Sequence, residues 1–265
     1  MTLESFENPH IRGVRTFVDW ILEGDRQASM YYVSSASALG TWPVHHPHEP
    51  IPETLTEEHW QYALPMGYGE SKHVSERLMQ RAAEHGASVN IFRVGQIAGP
   101  TEAADSVWTP SEWFPTLVRS SRALKKFPAN IGLQQTIDWI PCDVLGQVMV
   151  EIVCSAKTSD SPGIYNLVNP QRTSLRVLLE TAAAQYDGEL VSYDEWLRLL
   201  EDLDPTNPEH LAKVPALKLL DFYRGLRQSK ESFMATENGQ RDSKTMASLG
   251  QIDEKQVIAW TRHWQ

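Results

Sequence analysis

The residues best suited to chemistry are Tyr68 and Lys72, in the run Tyr68-Gly-Glu-Ser-Lys72. On a helix, positions four apart share a face, with their side chains about 6 Å apart. An ammonium one turn from a phenol favours the phenolate. A tyrosine so placed can give or take a proton near neutral pH. The same spacing also fits any exposed tyrosine and lysine on a helix, so context decides. A short apolar run upstream ends in Val33-Ser34-Ser35. In a parallel sheet, functional groups gather at the carboxyl ends of the strands. A Ser35 hydroxyl there is placed to hold a substrate carbonyl. A second strand closes on Arg93-Val94-Gly95-Gln96, where Gly95 and the nearby Gly99 would let backbone approach a ligand.

These groups need elements to position them. A helix is predicted over 10–22, with Ile11, Val14, Phe17, Val18, Ile21 and Leu22 on its apolar face. Strands are predicted at 30–33, 88–94, 137–140 and 164–168. Helices are predicted at 68–85, 109–124 and 144–155, the last capped by Asp143. The Pro-, His- and Glu-rich stretch 40–65 reads as a loop over the surface. Strands alternating with helices indicate an α/β fold with a Rossmann-like parallel sheet, covered on both faces. Beyond 170 the pattern turns mainly helical. The expected organisation is therefore a sheet-bearing part over 1–170 and a helical part over 171–265.

Composition excludes several function classes. The 265 residues include 24 Lys and Arg against 34 Asp and Glu, a net charge of −10, which is repelled by nucleic acid and by anionic membrane surfaces. No apolar run approaches the ~18 residues of a membrane span. The N-terminus is no signal peptide, and Cys142 and Cys154 sit in apolar surroundings. Buried free thiols and a cytoplasmic location are expected. His45, His46 and His48 cluster beside prolines, but a metal would need a fixed ligand geometry, so a solvated loop and no metal are expected. No Gly-x-Ser-x-Gly elbow occurs, which disfavours a hydrolase-type thioesterase.

Ser35, Tyr68 and Lys72, in that order, resemble the Ser/Thr-Tyr-Lys set of extended short-chain dehydrogenases/reductases. More of the chain narrows the match: Leu3-Glu-Ser-Phe-Glu7 with His10-Ile-Arg-Gly-Val14, Arg93-Val-Gly-Gln96, Glu112-Trp-Phe-Pro115, Asp138-Trp-Ile-Pro141 with Asp143, and Pro215-Ala-Leu-Lys-Leu-Leu220. Together they resemble terminal thioester reductase domains of fungal non-ribosomal peptide synthetase-like enzymes, polyketide synthases and adenylate-forming reductases. The resemblance implies NADPH as cofactor. It implies an acyl thioester on a carrier protein, or a small polyketide- or peptide-derived compound, as substrate, and an aldehyde as product. By resemblance, Tyr68 is the proton donor and Lys72 lowers its pKa and holds the nicotinamide ribose. Ser35 binds the carbonyl oxygen. Arg93, Val94, Gly95 and Gln96 run along the nicotinamide side, and Trp113 and Phe114 line the acyl pocket or simply fill the core.

The family's glycine-rich pyrophosphate turn is not in this sequence. By βαβ arithmetic, roughly a hundred or more residues of the fold would stand ahead of its first helix. The strand ending at Ser35 is then expected to be an open sheet edge. Another chain covers it, or the sheet rearranges, or the sequence is a shortened product. Three functions stay open. The first is a reductase completed in trans. The second is a redox-silent enzyme using Ser35, Tyr68 and Lys72 for cyclisation, isomerisation or release. The third is a non-catalytic module that pairs through the edge with itself or with a synthase.

Overall fold

The computed structural model describes all residues except 1, 24–27, 56, 102–107, 156–161, 263 and 265. It divides into two compact units. One comprises Met1–Ile97, Leu145–Pro170 and Ser232–Leu249, and the other Ala98–Val144, Gln171–Glu231 and Gly250–Gln265.

The first unit is built on a parallel three-stranded sheet in the order β1 (Ser29–Ser35), β2 (Ser88–Val94), β3 (Gly163–Leu167). The register sets Ser35 beside Val94, and Val94 beside Leu167, so all three strands end at one level. Strand β2 is the central one. Its apolar run, Val89, Ile91 and Phe92, is buried on both faces, as a covered parallel strand requires. Helix α1 (Arg12–Leu22) buries Val14, Val18 and Ile21, the first two in a core with Tyr32, Val89 and Ile91 of the sheet. Phe17 and Leu22 were expected on that face, but they lie off this stripe and stand 62% and 40% exposed. The helix is preceded by a turn at Glu4–Phe6 and a π-helical turn at Glu7–Ile11.

Helix α2 (Gly67–Glu84) ends where Gly86 takes φ +91°, a conformation that favours glycine. Its C-terminal half buries Met79 and Ala82 in the core formed with Val14, Val18, Tyr32, Val89, Ile91 and Ile164. Its N-terminal half buries Gly67, Gly69, Ser71, Ser75 and Glu76 instead, small and polar residues that let the helix lie close to the strand ends.

Stretch 40–65 is more than a surface excursion. Leu39, Trp42, Ile51 and Tyr62 form a small core of their own, with Met234 packed against it. Ile51 also exchanges backbone hydrogen bonds with Phe233 and Ala235. Within the histidine cluster, His46 stacks on Trp42 at 4.0 Å and hydrogen-bonds Tyr62 at 3.1 Å, which is a packing role. Both cysteines are exposed, contrary to expectation. Helix α3 (Cys142–Ser155) buries Leu145, Val148 and Ile152. Cys154 falls off that stripe and Cys142 is the helix's first residue. Asp143 is inside the first turn rather than capping it, and accepts from the Thr101 backbone N–H at 2.9 Å.

The second unit is mainly helical around an aromatic core. Trp108, Phe114, Trp139, Trp260 and Trp264 pack edge to face or stacked, with Phe114 4.9 Å from Trp139. Their polar ends are satisfied: Trp260 donates to the Pro100 carbonyl and Trp264 to that of Trp108. Residues 98–144 therefore pack with the C-terminal tail, because the tryptophans that cover them come from it. The strand expected at 137–140 is two short pieces, Thr136–Ile137 and Ile140–Pro141, on either side of the buried Trp139.

One carboxylate missed by the sequence reading holds the first unit's segments together. Glu53 accepts backbone N–H bonds from Asn166 of β3 at 2.9 Å and from Asn238 at 2.6 Å. Burial nevertheless dominates and pushes its pKa from 4.5 to about 7. The folded chain thus holds this proton more tightly than the unfolded chain. Its contribution to stability is present below pH 4.5 and is lost as pH rises through about 7. Asp138, raised to about 6, acts in the same sense. Urea unfolding between pH 5 and 8 should show Glu53→Gln losing less stability than wild type, by about 2 kcal/mol after allowing for partial exposure. Parallel pH curves for the two proteins would contradict this.

Candidate active site

Three residues of α2 fasten the end of β1. Lys72 Nζ donates to the Val33 carbonyl at 2.8 Å. His73 Nδ1 bonds the Ala38 carbonyl at 3.1 Å, just beyond the strand. Glu76 accepts from Ser34 Oγ at 2.6 Å. The first turn of α2 comes equally close. A side chain at Gly69 would lie 2.9 Å from the Ser37 carbonyl, and one at Gly67 would lie 2.4 Å from that of Thr2. The strand end carrying Ser35 and the helix turn carrying Tyr68 and Lys72 are therefore brought together, as expected from the sequence.

Each of the three has hydrogen-bonding capacity to spare. Ser35 caps the 3₁₀ turn Ala36–Leu39, its Oγ accepting from the Ser37 N–H at 3.2 Å. Its own O–H is left to donate to a carbonyl. The Tyr68 hydroxyl has no hydrogen-bond partner among the described residues. Its ring is flanked edge-on by Phe6 at 6.1 Å and His10 at 6.2 Å, both from the turns before α1. The Lys72 ammonium lies 5.6 Å from the Tyr68 ring centroid. Burial lowers its pKa and the charge of Glu76 pulls the other way.

The side chains of the run 93–96 bond and pack within the protein. Arg93 is fully buried and bidentate to Glu76, with Nη2 to Oε2 at 2.7 Å. Its remaining bonds go to the Pro52 and Thr54 carbonyls at 2.9 and 3.2 Å. Its side chain pairs the helix with the sheet and draws in the 51–55 loop. Val94 is buried at the end of β2. The close approaches at Gly95 and Gly99 are made by protein: an added Cβ would meet Val168 at 2.4 Å and Trp260 at 2.6 Å. Gln96 donates to the Ile97 carbonyl at 2.8 Å. Trp113 and Phe114 belong to the second unit. Phe114 is fully buried in its core, and Trp113 packs on that core and against Phe222 at 5.9 Å.

A parallel sheet, a Tyr-x-x-x-Lys helix fastened to a strand end and a serine at that end define a Rossmann-like reductase domain of the extended short-chain dehydrogenase/reductase kind. The fold matches the crystal structure of the terminal R domain from the myxalamid PKS-NRPS biosynthetic pathway, with a TM-score of 0.78 and 20% identity. The match covers all of this chain and 64% of that one. The chain belongs to the NAD-binding family described as male sterility protein, which matches residues 1–149. It is 32% identical over 277 residues to the carboxylic acid reductase of Neurospora crassa, covering 100% of this chain and 26% of the relative. It is likewise 32% identical to the adenylate-forming reductase Nps10 of Heterobasidion annosum, covering 100% and 25%. The chain thus spans about a quarter of the length of these curated relatives.

Removing one partner of the buried Arg93–Glu76 pair leaves an uncompensated charge. Arg93→Met or Glu76→Leu should each cost about 3–5 kcal/mol in denaturant unfolding. A loss below 1 kcal/mol would mean that the pair does not hold the helix to the sheet.

Proposed function

We propose that this chain is the catalytic part of an NADPH-dependent thioester reductase that takes acyl groups from a carrier protein in fungal-type secondary metabolism and releases them as aldehydes. The observation that carries the reading is the Lys72 ammonium, held on the Val33 carbonyl within 5.6 Å of the Tyr68 ring, at the strand end that bears Ser35. The family and the carboxylic acid and adenylate-forming reductase relatives support it.

Ser35 donates its O–H to the thioester carbonyl oxygen, polarising the carbon and holding the developing negative charge. Tyr68 delivers a proton to that oxygen, and the hemithioacetal so formed breaks its C–S bond, leaving the aldehyde and the protonated carrier thiol. Lys72 stabilises the phenolate that remains. The residues present fit the nicotinamide end of the cofactor. Lys72 is half-exposed beside Tyr68 and can hold a ribose hydroxyl, and the bound cofactor would supply the hydride.

The nucleotide end fits a different surface. Among the described residues, β1 pairs only with β2, so its other edge is open. Val33 stands 48% exposed on it. Phe17 and Trp20 of α1, and Val150 and Val153 of α3, are likewise exposed apolar side chains. An open strand with apolar helices in its own unit suits a further strand–helix unit, and in this reading that unit carries the glycine-rich turn.

The test supplies an acyl-pantetheine thioester and NADPH to the purified chain, alone and with the nucleotide-binding half of a relative added in trans. Aldehyde should form with the added half, and Tyr68→Phe should slow it by about 10²–10⁴-fold. Thiol release without NADPH consumption, still dependent on Tyr68, would replace the reductase reading with cofactor-independent acid–base chemistry. No product under any condition would overturn both.

A further inference from the structure

Lys72 reaches the strand end between two tyrosine rings. Besides Tyr68, its ammonium lies over the ring of Tyr32, 5.1 Å from the centroid. Tyr32 comes from β1, one residue before the carbonyl that Lys72 holds. It is 9% exposed and packs in the core with Val14, Val18, Met79 and Ile91, so the ring is fixed in place. Burial pushes its hydroxyl up to about 12, which keeps the ring neutral at any working pH. The face of a neutral aromatic ring attracts a cation, and more strongly where water is excluded.

Among the described residues no carboxylate pairs directly with Lys72. On its own helix, Glu76 pulls in favour of the charge, but that carboxylate is bidentate to Arg93 of β2 and also accepts from Ser34. His10, from the turn before α1, faces the Tyr68 ring rather than Lys72. Burial disfavours the ammonium.

We propose that Tyr32 is a positioning residue for Lys72: its ring, with the Val33 carbonyl, fixes the ammonium over the strand end and keeps it charged beside Tyr68. For catalysis this rests on the reading of Tyr68 and Lys72 as the acid–base pair. The test does not, because it reads Lys72 itself.

The pH dependence of Lys72 acylation by an amine-selective reagent is followed on the folded chain by mass spectrometry of its peptide. The exposed Lys218 of the second unit serves as reference. Tyr32→Phe keeps the ring and should leave the Lys72 midpoint where it is in wild type. Tyr32→Leu removes the ring and should lower the midpoint by about 0.5–1 pH unit, a three- to tenfold loss of proton affinity, with Lys218 unmoved. An unmoved midpoint in Tyr32→Leu, or an equal fall in Tyr32→Phe, overturns the proposal. If Tyr32→Leu does not fold, Tyr32→Trp decides: its stronger ring face should raise the midpoint, and no rise overturns the proposal.

Discussion

Glu76 is a carboxylate with no access to water, and the site is organised by how it is held. A buried charge is tolerated only when it is paired and its lone pairs are filled. Arg93 supplies the opposite charge from the central strand, and Ser34 fills a further lone pair from the edge strand. The rest of the guanidinium takes carbonyls from the 51–55 loop. One ion pair thus fixes helix α2 against two strands and a loop. Tyr68, Lys72 and Glu76 follow at four-residue intervals along one face of that helix. Anchoring the third sets the height of the other two above the end of β1.

The bonding around this anchor separates two zones. Below Lys72, Glu76, Arg93, Ser34 and the His73 ring all have partners inside the protein. At the strand end, the Ser35 O–H and the Tyr68 hydroxyl donate to no partner among the described residues. Firm support beneath and unspent donors above is the arrangement that catalysis by proton transfer requires, since the donors must be preorganised without being satisfied.

The parts legible in the sequence were those that depend on local pattern. Strand β2 was bounded by Gly86 and Gly95 and read correctly, and α2 was within a residue or two. The meeting of Ser35 with Tyr68 and Lys72 followed from helix periodicity and from the rule that groups gather at strand ends. What escaped were partners separated by tens of residues. Arg93 has the same side chain whether it faces a cofactor or Glu76, and only the fold decides. Gly95 and Gly99 announced a close approach correctly, but the approaching atoms are those of Val168 and Trp260. Glu53 sits in a proline-rich stretch that reads as loop, and its two backbone donors lie far along the chain. Cys154 was misjudged because residues two apart, as it is from the buried Ile152, do not share a helix face, and Cys142 because it is the first residue of the helix.

In the proposed reading of Tyr68 and Lys72 as an acid–base pair, the way Lys72 is held makes its charge useful. A cation lowers the cost of a neighbouring phenolate only to the extent that its own charge is uncompensated. A carboxylate paired directly with Lys72 would hold it firmly and cancel much of that field. Glu76, one turn away, is the carboxylate best placed to do so, and Arg93 draws it off. Lys72 is left with a carbonyl dipole and two ring faces. These fix the ammonium without neutralising it, so its positive charge stays directed at Tyr68. The buried ion pair and the aromatic cradle are then two halves of one device: the first removes the competing anion, and the second holds the cation that remains.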